Sequence, residues 1–260
     1  ENSWSLIDEN DNLKPIDIES FRVNDYPNLV FDCIFNAIHG TPGEDGKIQK
    51  YFKDKKIPIT GSDLFQSELT FDKVKCLSFL SSKGIKVAPS LFLLKSNKVK
   101  IKEIENKVGF PCFIKASKSG SSFGVYKVYD KDEMTDCLDS AFKLDDKVLI
   151  ESFIDGKEFS IGVINFKGNI EVLPITEIVT SNDFFDYEAK YEGKAQEITP
   201  AKISIELEAE LKLVSKEIYN LLQLKGFSRS EFIVNKDGIY YLETNTVPGL
   251  TPESILPQQA

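Results

Sequence analysis

Apolar residues recur along this chain at two spacings, and each change of spacing marks a new element. Between residues 31 and 38 the alternation Phe31, Cys33, Phe35, Ala37 predicts a strand that ends at His39-Gly40 and leads into a glycine-rich turn. Around residues 69–84, Val74, Leu77 and Leu80 fall at helical intervals with Gly84 as a C-terminal stop, which predicts one helix opening a second lobe. Next come a strand over residues 89–94, a helix with Ile101, Ile104 and Val108 on one face, and a strand over Cys112–Ala116. A glycine and serine loop, residues 117–124, closes that strand. Met134, Leu138, Ala141 and Phe142 mark another helix and residues 148–151 another strand, completing a small α+β unit.

Beyond Glu158 the pattern turns strand-rich. Phe159, Ile161 and Val163 alternate, and a second strand over residues 170–178 is joined to them by a Lys167-Gly168-Asn169 turn. The longest helix carries Leu207, Leu211, Val214, Ile218, Leu221 and Leu222 on one stripe, with Gly226 after it. A hairpin over residues 231–245 ends the regular structure. Period-two alternation puts Arg229 and Glu231 on one face of its first strand, and Glu243 and Asn245 on one face of its second. Whether these faces coincide depends on the turn. A three-residue loop Lys236-Asp237-Gly238 pairs Asn235 with Ile239 and sets Glu231 opposite Glu243, whereas a two-residue Asp-Gly turn separates them. The three-residue loop is expected, because two carboxylates and an amide oxygen on one patch form a hard-oxygen cradle for Mg²⁺.

Composition narrows the chemistry. The chain has 260 residues, 41% of them hydrophobic, enough for two or three small lobes with their own cores. Its apolar stretches fall short of the ~18 residues that span a bilayer, so no membrane segment is expected. Residues 1–20 lack the apolar core of a secretory signal. The four cysteines show no paired spacing and are expected to be buried thiols of a reducing compartment, the cytoplasm. A net charge of -9 argues against a nucleic-acid partner. His39 is the only histidine, which excludes multi-histidine metal sites and leaves carboxylates, lysines, arginines and backbone amides as the catalytic inventory.

The loop Lys118-Ser119-Gly120-Ser121-Ser122-Phe123-Gly124, with Lys115 just before it, offers small residues, amides and hydroxyls to an anion. It is not a P-loop, which would place Lys and Ser or Thr directly after its last glycine.

Ordered blocks along the chain carry a resemblance: HGTPGEDG from His39, TFDK from Thr70, KASKSGSSFGV from Lys115, LIESFIDGKEFS from Leu149, DYEAKY from Asp186, and GFSRSEF followed by LETNTVPGLTPESILP. Over about residues 31–260 the sequence resembles the D-alanine–D-alanine ligase family of the ATP-grasp superfamily. The resemblance implies an α/β fold of α+β lobes. A partial Rossmann-like N-terminal lobe would span residues 1–70, a central ATP-grasp lobe 71–152 and a C-terminal ATP-grasp lobe 153–260, with ATP between the last two.

It further implies that Lys73 and Lys115 meet the ATP phosphates, and that Glu151, Phe153 and Ile154 form the adenine edge with Glu158 on the ribose. The amides of Ser121 and Ser122 would cover the phosphates, and Lys190 would close over them from a lid around residues 183–193. Glu231, Glu243 and Asn245 fall on the magnesium ligands, for two Mg²⁺ ions or Mn²⁺ in their place, although the family pattern has aspartate where this chain has Glu231. Arg229, with the Gly249 amide, would stabilise negative charge on an acyl phosphate and a tetrahedral intermediate. His39 and Glu44 fall on the first D-alanine site, Ser254 and Ile255 border the second, and Tyr191 with Ser121 bridges the closed site. The substrates implied are two D-alanine molecules, and the assembly a homodimer.

The implied reaction activates one carboxylate with ATP and lets a second substrate's amine displace phosphate. A ligase taking D-lactate or D-serine second is the nearest alternative, and Tyr191 after Lys190 favours D-alanine. An ATP-binding scaffold without chemistry is a second alternative, against which Arg229, Glu243, Asn245 and the lysines argue. The family's opening glycine-rich turn, with a glutamate that holds the first D-alanine, has no counterpart before His39, and its final helix none after Ala260. A trimmed chain with weak first-substrate binding or no turnover is therefore expected.

Overall fold

The structure is a computed structural model that describes residues 3–120, 124–180 and 195–260. Near the N-terminus, where no pattern predicts an element, three short strands form an antiparallel sheet: β1 (Trp4–Ile7), β2 (Leu13–Asp17) and β3 (Arg22–Val23). A helix that the sequence reading missed, α1 (Lys47–Asp54), packs Ile48 and Phe52 against Phe21 and Trp4. The aromatic rings meet edge-on, Phe21 to Phe52 at 4.9 Å and Trp4 to Phe52 at 5.7 Å, the arrangement that ring quadrupoles favour.

The strand expected over residues 31–38 is not formed. Only an isolated parallel bridge joins Ile34 to Ile59. The inward face is also inverted, since Asn36 is buried while Cys33 and Phe35 are exposed. Side chains take the place of a ladder here: the Asn36 N–H donates to Thr60 Oγ1 at 2.9 Å, and the Ile38 N–H donates to Asn36 Oδ1 at 3.1 Å.

The single helix expected around residues 69–84 is two, α2 (Leu64–Phe71) and α3 (Lys73–Ser82). Asp72 breaks the run. Its backbone is extended, with φ -87 and ψ 97, and its carboxylate caps α3 by accepting the Lys75 N–H at 3.1 Å. That carboxylate is 1% exposed and also accepts from Ser117 Oγ at 2.9 Å and Lys147 Nζ at 2.6 Å. Gly84 ends α3 at φ +92, a left-handed conformation that favours glycine.

The next lobe matches expectation closely. It contains β4 (Ser90–Leu94), α4 (Ile101–Val108), β5 (Cys112–Ala116), β6 (Val125–Val128), α5 (Met134–Ala141) and β7 (Lys147–Ser152). The strands form an antiparallel sheet in the order β4-β7-β5-β6, and both helices cover one face through Ile104, Val108, Met134 and Leu138. The other face is left to the cleft.

A larger sheet follows, built from β8 (Lys157–Phe166), β9 (Asn169–Val172), β10 (Thr176–Thr180), β11 (Ala195–Ile198), β12 (Phe227–Asn235) and β13 (Gly238–Asn245). Its order is β11-β10-β8-β12-β13, with β9 also on β8. Helix α6 (Ile205–Leu221), capped by Ser204, buries Leu211, Ile218 and Tyr219 against it, and α7 (Ile255–Gln259) lies beside β8. Helix α3 contributes Val74, Leu77 and Leu80 to the same core as Phe159, Ile161 and Phe232. The strand expected over residues 170–178 is split into β9 and β10 at Pro174, which has no N–H for a ladder.

The hairpin reaches the expected pairing by a different route. Asn235 pairs with Gly238, so the loop is Lys236-Asp237 rather than three residues. A β-bulge at Leu242 then supplies the extra residue, and beyond it Glu231 faces Glu243 and Arg229 faces Asn245. The cysteine expectation also needs correction. All four are free, but Cys33 is exposed; burial pushes the thiol of Cys76 up to about 12 and that of Cys112 to about 11.

Burial works against the Asp72 carboxylate, yet Lys147, the Lys75 N–H and Ser117 outweigh it and hold its pKa below the ordinary value. Asp72→Asn keeps the cap oxygen and leaves the Lys147 ammonium, 19% exposed, without its counter-charge, so urea unfolding at pH 7 is expected to show a loss of about 3 kcal/mol. A lowered native pKa means the contribution is full above the unfolded value and disappears as pH falls through the native one. The two unfolding curves should therefore converge below about pH 4.

Candidate active site

A cleft of about 570 Å³ opens between the free face of the β4–β7 sheet and the C-terminal sheet. On the first wall Phe113 of β5 stands opposite Glu151 of β7, and Lys115, two residues on, shares their face. The Lys115 ammonium contacts Glu151 Oε1 directly. Burial opposes the charge on Lys115, but Glu151, with Glu243 and Glu158 farther off, outweighs it and raises its pKa. Phe153 and Ile154, just past β7, line the same wall. The Phe153 ring is held by the Lys127 ammonium 4.0 Å from its centroid and by Phe113 at 6.1 Å.

The floor comes from β8, β12 and β13. Register aligns Ile178, Glu158 and Ile233 in one row across the sheet, and all three line the cleft. Lys73, at the start of α3, reaches over this floor, donating to the Ser119 carbonyl at 2.8 Å and pairing with Glu243 Oε2 at 3.0 Å. One cation thus touches both the glycine and serine loop and the hairpin. Lys157 and Glu177 line the cleft as well, paired at 2.7 Å. Both escaped the sequence reading: Lys157 stands inside the LIESFIDGKEFS block, where Glu158 beside it took the assignment, and Glu177 lies outside every block.

At the end of the cleft the hairpin presents Arg229, Glu231, Glu243 and Asn245 on one face. Arg229 Nη1 donates to Ser160 Oγ at 2.9 Å and lies 2.9 Å from Glu231 Oε1. No hydrogen bond forms across that separation, so Glu231 Oε1 is a buried atom with a charge beside it and no hydrogen bond among the described residues. Such an oxygen, facing a second carboxylate and next to an amide, suits a hard cation. Carboxylates and an amide without histidine or cysteine exclude a soft-metal site.

His39 and Glu44 approach from the N-terminal side. Glu44 is 5% exposed and both its oxygens are engaged: Oε1 accepts the Val247 N–H at 2.7 Å and Oε2 the Gly40 N–H at 2.8 Å. His39 Nδ1 lies 2.9 Å from the Val247 carbonyl and 3.2 Å from Glu44 Oε2. A carbonyl only accepts, so Nδ1 carries the proton and Nε2 is the nitrogen that titrates. The pair ties residues 39–44 to the loop that carries Gly249 and Ser254. Gly249 packs closely on Ser254: a Cβ would sit 2.6 Å from Ser254 Oγ, so the hydroxyl would have to turn away. Ile255, the first residue of α7, is buried.

The sequence profile of the family described as D-ala D-ala ligase C-terminus matches residues 79–260. The D-alanine–D-alanine ligase of Flavobacterium johnsoniae is 54% identical over 258 residues, covering 99% of this chain and 80% of that protein. The chain belongs to the D-alanine–D-alanine ligase family. The enzyme of the same name from Christiangramia forsetii is 48% identical over 99% of this chain and 79% of its own length. Among solved structures, the VanG D-Ala:D-Ser ligase from Enterococcus faecalis has a TM-score of 0.83 at 32% identity, covering 96% of this chain and 75% of its own. The Bacillus anthracis D-alanine–D-alanine ligase complexed with ATP has a TM-score of 0.76 at 29% identity, covering 88% of this chain and 72% of that one. The ATP-grasp architecture expected from sequence is therefore the fold of the family.

Of the residues expected to form the site, Lys73, Lys115, Glu151, Phe153, Ile154 and Glu158 meet in the cleft, joined by Glu231 and Glu243. Beyond its end lie Arg229 and Asn245 on the hairpin, Gly249 and Ser254 on the loop after it, and His39 and Glu44 on the N-terminal segment bonded to that loop at Val247. Ser121, Ser122, Lys190 and Tyr191 fall outside the described residues. Sequence reasoning missed Asp72, although TFDK contains it, because the lysine of that block absorbed the functional assignment.

Glu44 raises the pKa of His39 above the usual 6.5, chiefly by the hydrogen bond between them, against the effect of burial. Because His39 is the only histidine, its ring protons should titrate alone by NMR, with a midpoint above 6.5. Glu44→Gln should bring the midpoint to 6.5 or below. A raised native pKa stabilises the fold fully below the unfolded value and ceases to do so as pH rises through the native one, so that stabilisation should fade above about pH 6.5.

Proposed function

We propose that this chain couples ATP cleavage to the joining of two D-alanine molecules, giving the D-alanyl-D-alanine of peptidoglycan precursors. The observation that carries the reading is the meeting of Lys73 and Lys115 with Glu231 and Glu243 in one cleft, with Arg229 beside them. Two cations beside paired carboxylates suit a polyphosphate, and among the described residues neither cysteine nor histidine lines the cleft.

In this reading Glu151, Phe153, Ile154 and Glu158 seat adenine and ribose, and Lys73 and Lys115 turn from their carboxylate partners to the phosphates. Glu231, Glu243 and Asn245 would hold Mg²⁺, as two ions or with Mn²⁺ in their place. The metal supplies neutralisation of phosphate charge. The first D-alanine carboxylate attacks the γ phosphate, which leaves ADP and a D-alanyl phosphate. The amine of the second D-alanine then attacks the acyl carbon, Arg229 and the Gly249 N–H stabilise the oxyanion that develops, and phosphate leaves. His39 orients the first D-alanine and Glu44 holds His39; Ser254 and Ile255 border the second. The roles of Ser121, Ser122, Lys190 and Tyr191 at the phosphates and the closed site, the three lobes at 1–70, 71–152 and 153–260, a cytoplasmic location and a homodimer belong to the same proposal.

A second reading, with D-serine as the second substrate, is favoured by the 32% identity to VanG. The test is ADP release with ATP, Mg²⁺ and D-alanine, alone or with D-serine or D-lactate, and mass analysis of the product. D-alanine alone should suffice. Lys115→Ala should lower kcat/KM for ATP about a hundredfold, and Glu243→Gln should weaken the Mg²⁺ dependence by a similar factor. ADP formation only when D-serine is present would move the assignment to the second reading, and a chain that neither binds ATP by calorimetry nor consumes it in any arm would remove both.

A further inference from the structure

Strand β8 has a gap in its pairing where β9 stops and β10 begins. Val163 pairs with Val172 and Ser160 with Thr176, and the Leu173 N–H still reaches the Gly162 carbonyl at 2.9 Å. The Ser160 carbonyl and the Gly162 N–H face that gap, and one side chain fills it. Gln259 Nε2 donates to the Ser160 carbonyl at 2.8 Å and to Thr176 Oγ1 at 2.9 Å, while Gln259 Oε1 accepts the Gly162 N–H at 3.0 Å. The amide stands in for a missing peptide unit, with donor and acceptor both used, and Gln259 is 3% exposed.

The approach is possible only because residue 162 is glycine. A Cβ there would lie 2.6 Å from Gln259 Oε1 and 2.6 Å from Leu256 Cδ1, so α7 packs on bare backbone. Ser160, fully buried, is also the residue whose hydroxyl accepts from Arg229. At the other end of α7, Ser254 is braced by its N–H to the Thr251 carbonyl and by its hydroxyl to Thr251 Oγ1, each at 2.9 Å. The loop between the hairpin and α7 is thus clamped twice, by Glu44 at Val247 and by Gln259 in the gap.

We infer that Gln259 is a positioning residue for the second half of the reaction: by plugging the β8 gap it fixes Ser160 under Arg229 and sets the loop that carries Gly249 and Ser254. The inference rests on the ligase reading for what those residues do, and on the geometry for how they are held. Gln259→Met fills the same space without hydrogen bonds. Thr176→Val is the milder variant, removing one of them. For Gln259→Met the KM for the second D-alanine should rise about tenfold and kcat should fall about tenfold, with KM for ATP within about twofold of the parent. Thr176→Val should shift the same two constants less.

Hydrogen exchange of residues 249–256, measured on the same 260-residue chains without substrate, should be faster in Gln259→Met and unchanged in α4 and α5. Unchanged exchange in that loop, or KM values that move together for ATP and both D-alanines, would overturn the positioning role. If the parent chain shows no turnover, loop exchange alone decides whether Gln259 holds the loop, and the ligase reading itself fails only if the chain does not bind ATP either.

Discussion

The carboxylate of Asp72 collects donors from three separate parts of the chain: the Lys75 N–H of its own helix, the Ser117 hydroxyl at the end of β5, and the Lys147 ammonium at the start of β7. A charge this deeply buried is tolerated only while all its partners stay in place, so the three segments are fixed relative to one another. Chain adjacency does the rest. Lys73 follows Asp72 directly and its N–H donates to the Ser117 carbonyl at 3.0 Å, while the Ser117 N–H donates to the Lys147 carbonyl at 3.0 Å. The first turn of α3, the root of the glycine and serine loop and the β7 edge of the cleft wall therefore share one anchor. Helix α3 then packs into the C-terminal core, which carries that anchoring across the cleft.

In and beside the cleft, opposite charges are paired with one another. Lys73 rests on Glu243, Lys115 on Glu151, and Arg229 beside Glu231. Such pairing limits the cost of holding cations in a partly dry cleft, and it keeps the side chains within a short swing of a phosphate. A chain of net charge -9 can thus offer a local anion site, because the lysines are concentrated where two sheets face each other.

Much of this was legible in the sequence, and the failures share a cause. Strands and helices with long, unbroken periods, such as β5, α4, α6 and β8, were readable because each buries one face against its own lobe. The strand expected at residues 31–38 fails because pairing depends on a partner that local pattern does not reveal; its alternation is real, but Ile34 and Asn36 turn inward instead. The helix break at Asp72 is hidden for the same reason. An aspartate between two helical runs looks like a solvated residue until the lysine from β7 and the serine from β5 arrive in space. Most cleft residues carried by motif blocks were found, while Lys157, inside a block, and Glu177 and Gln259, outside them, were missed because their roles come from neighbours distant in sequence.

The hairpin shows how a correct expectation can rest on the wrong device. A side-chain period of two means that one added residue moves every later side chain to the other face. Turn chemistry at Lys236-Asp237-Gly238 was expected to supply that residue, yet the loop closes at two and Leu242 bulges instead. The difference matters physically. A bulge lies next to the carboxylates it reorients, with Tyr241 buried beside it and hydrogen-bonded to Thr244, so Glu231 and Glu243 owe their shared face to packing within the core rather than to an exposed turn. Register at the end that carries Glu231 and Glu243 is therefore protected from whatever happens at the tip, and the tip is free to vary.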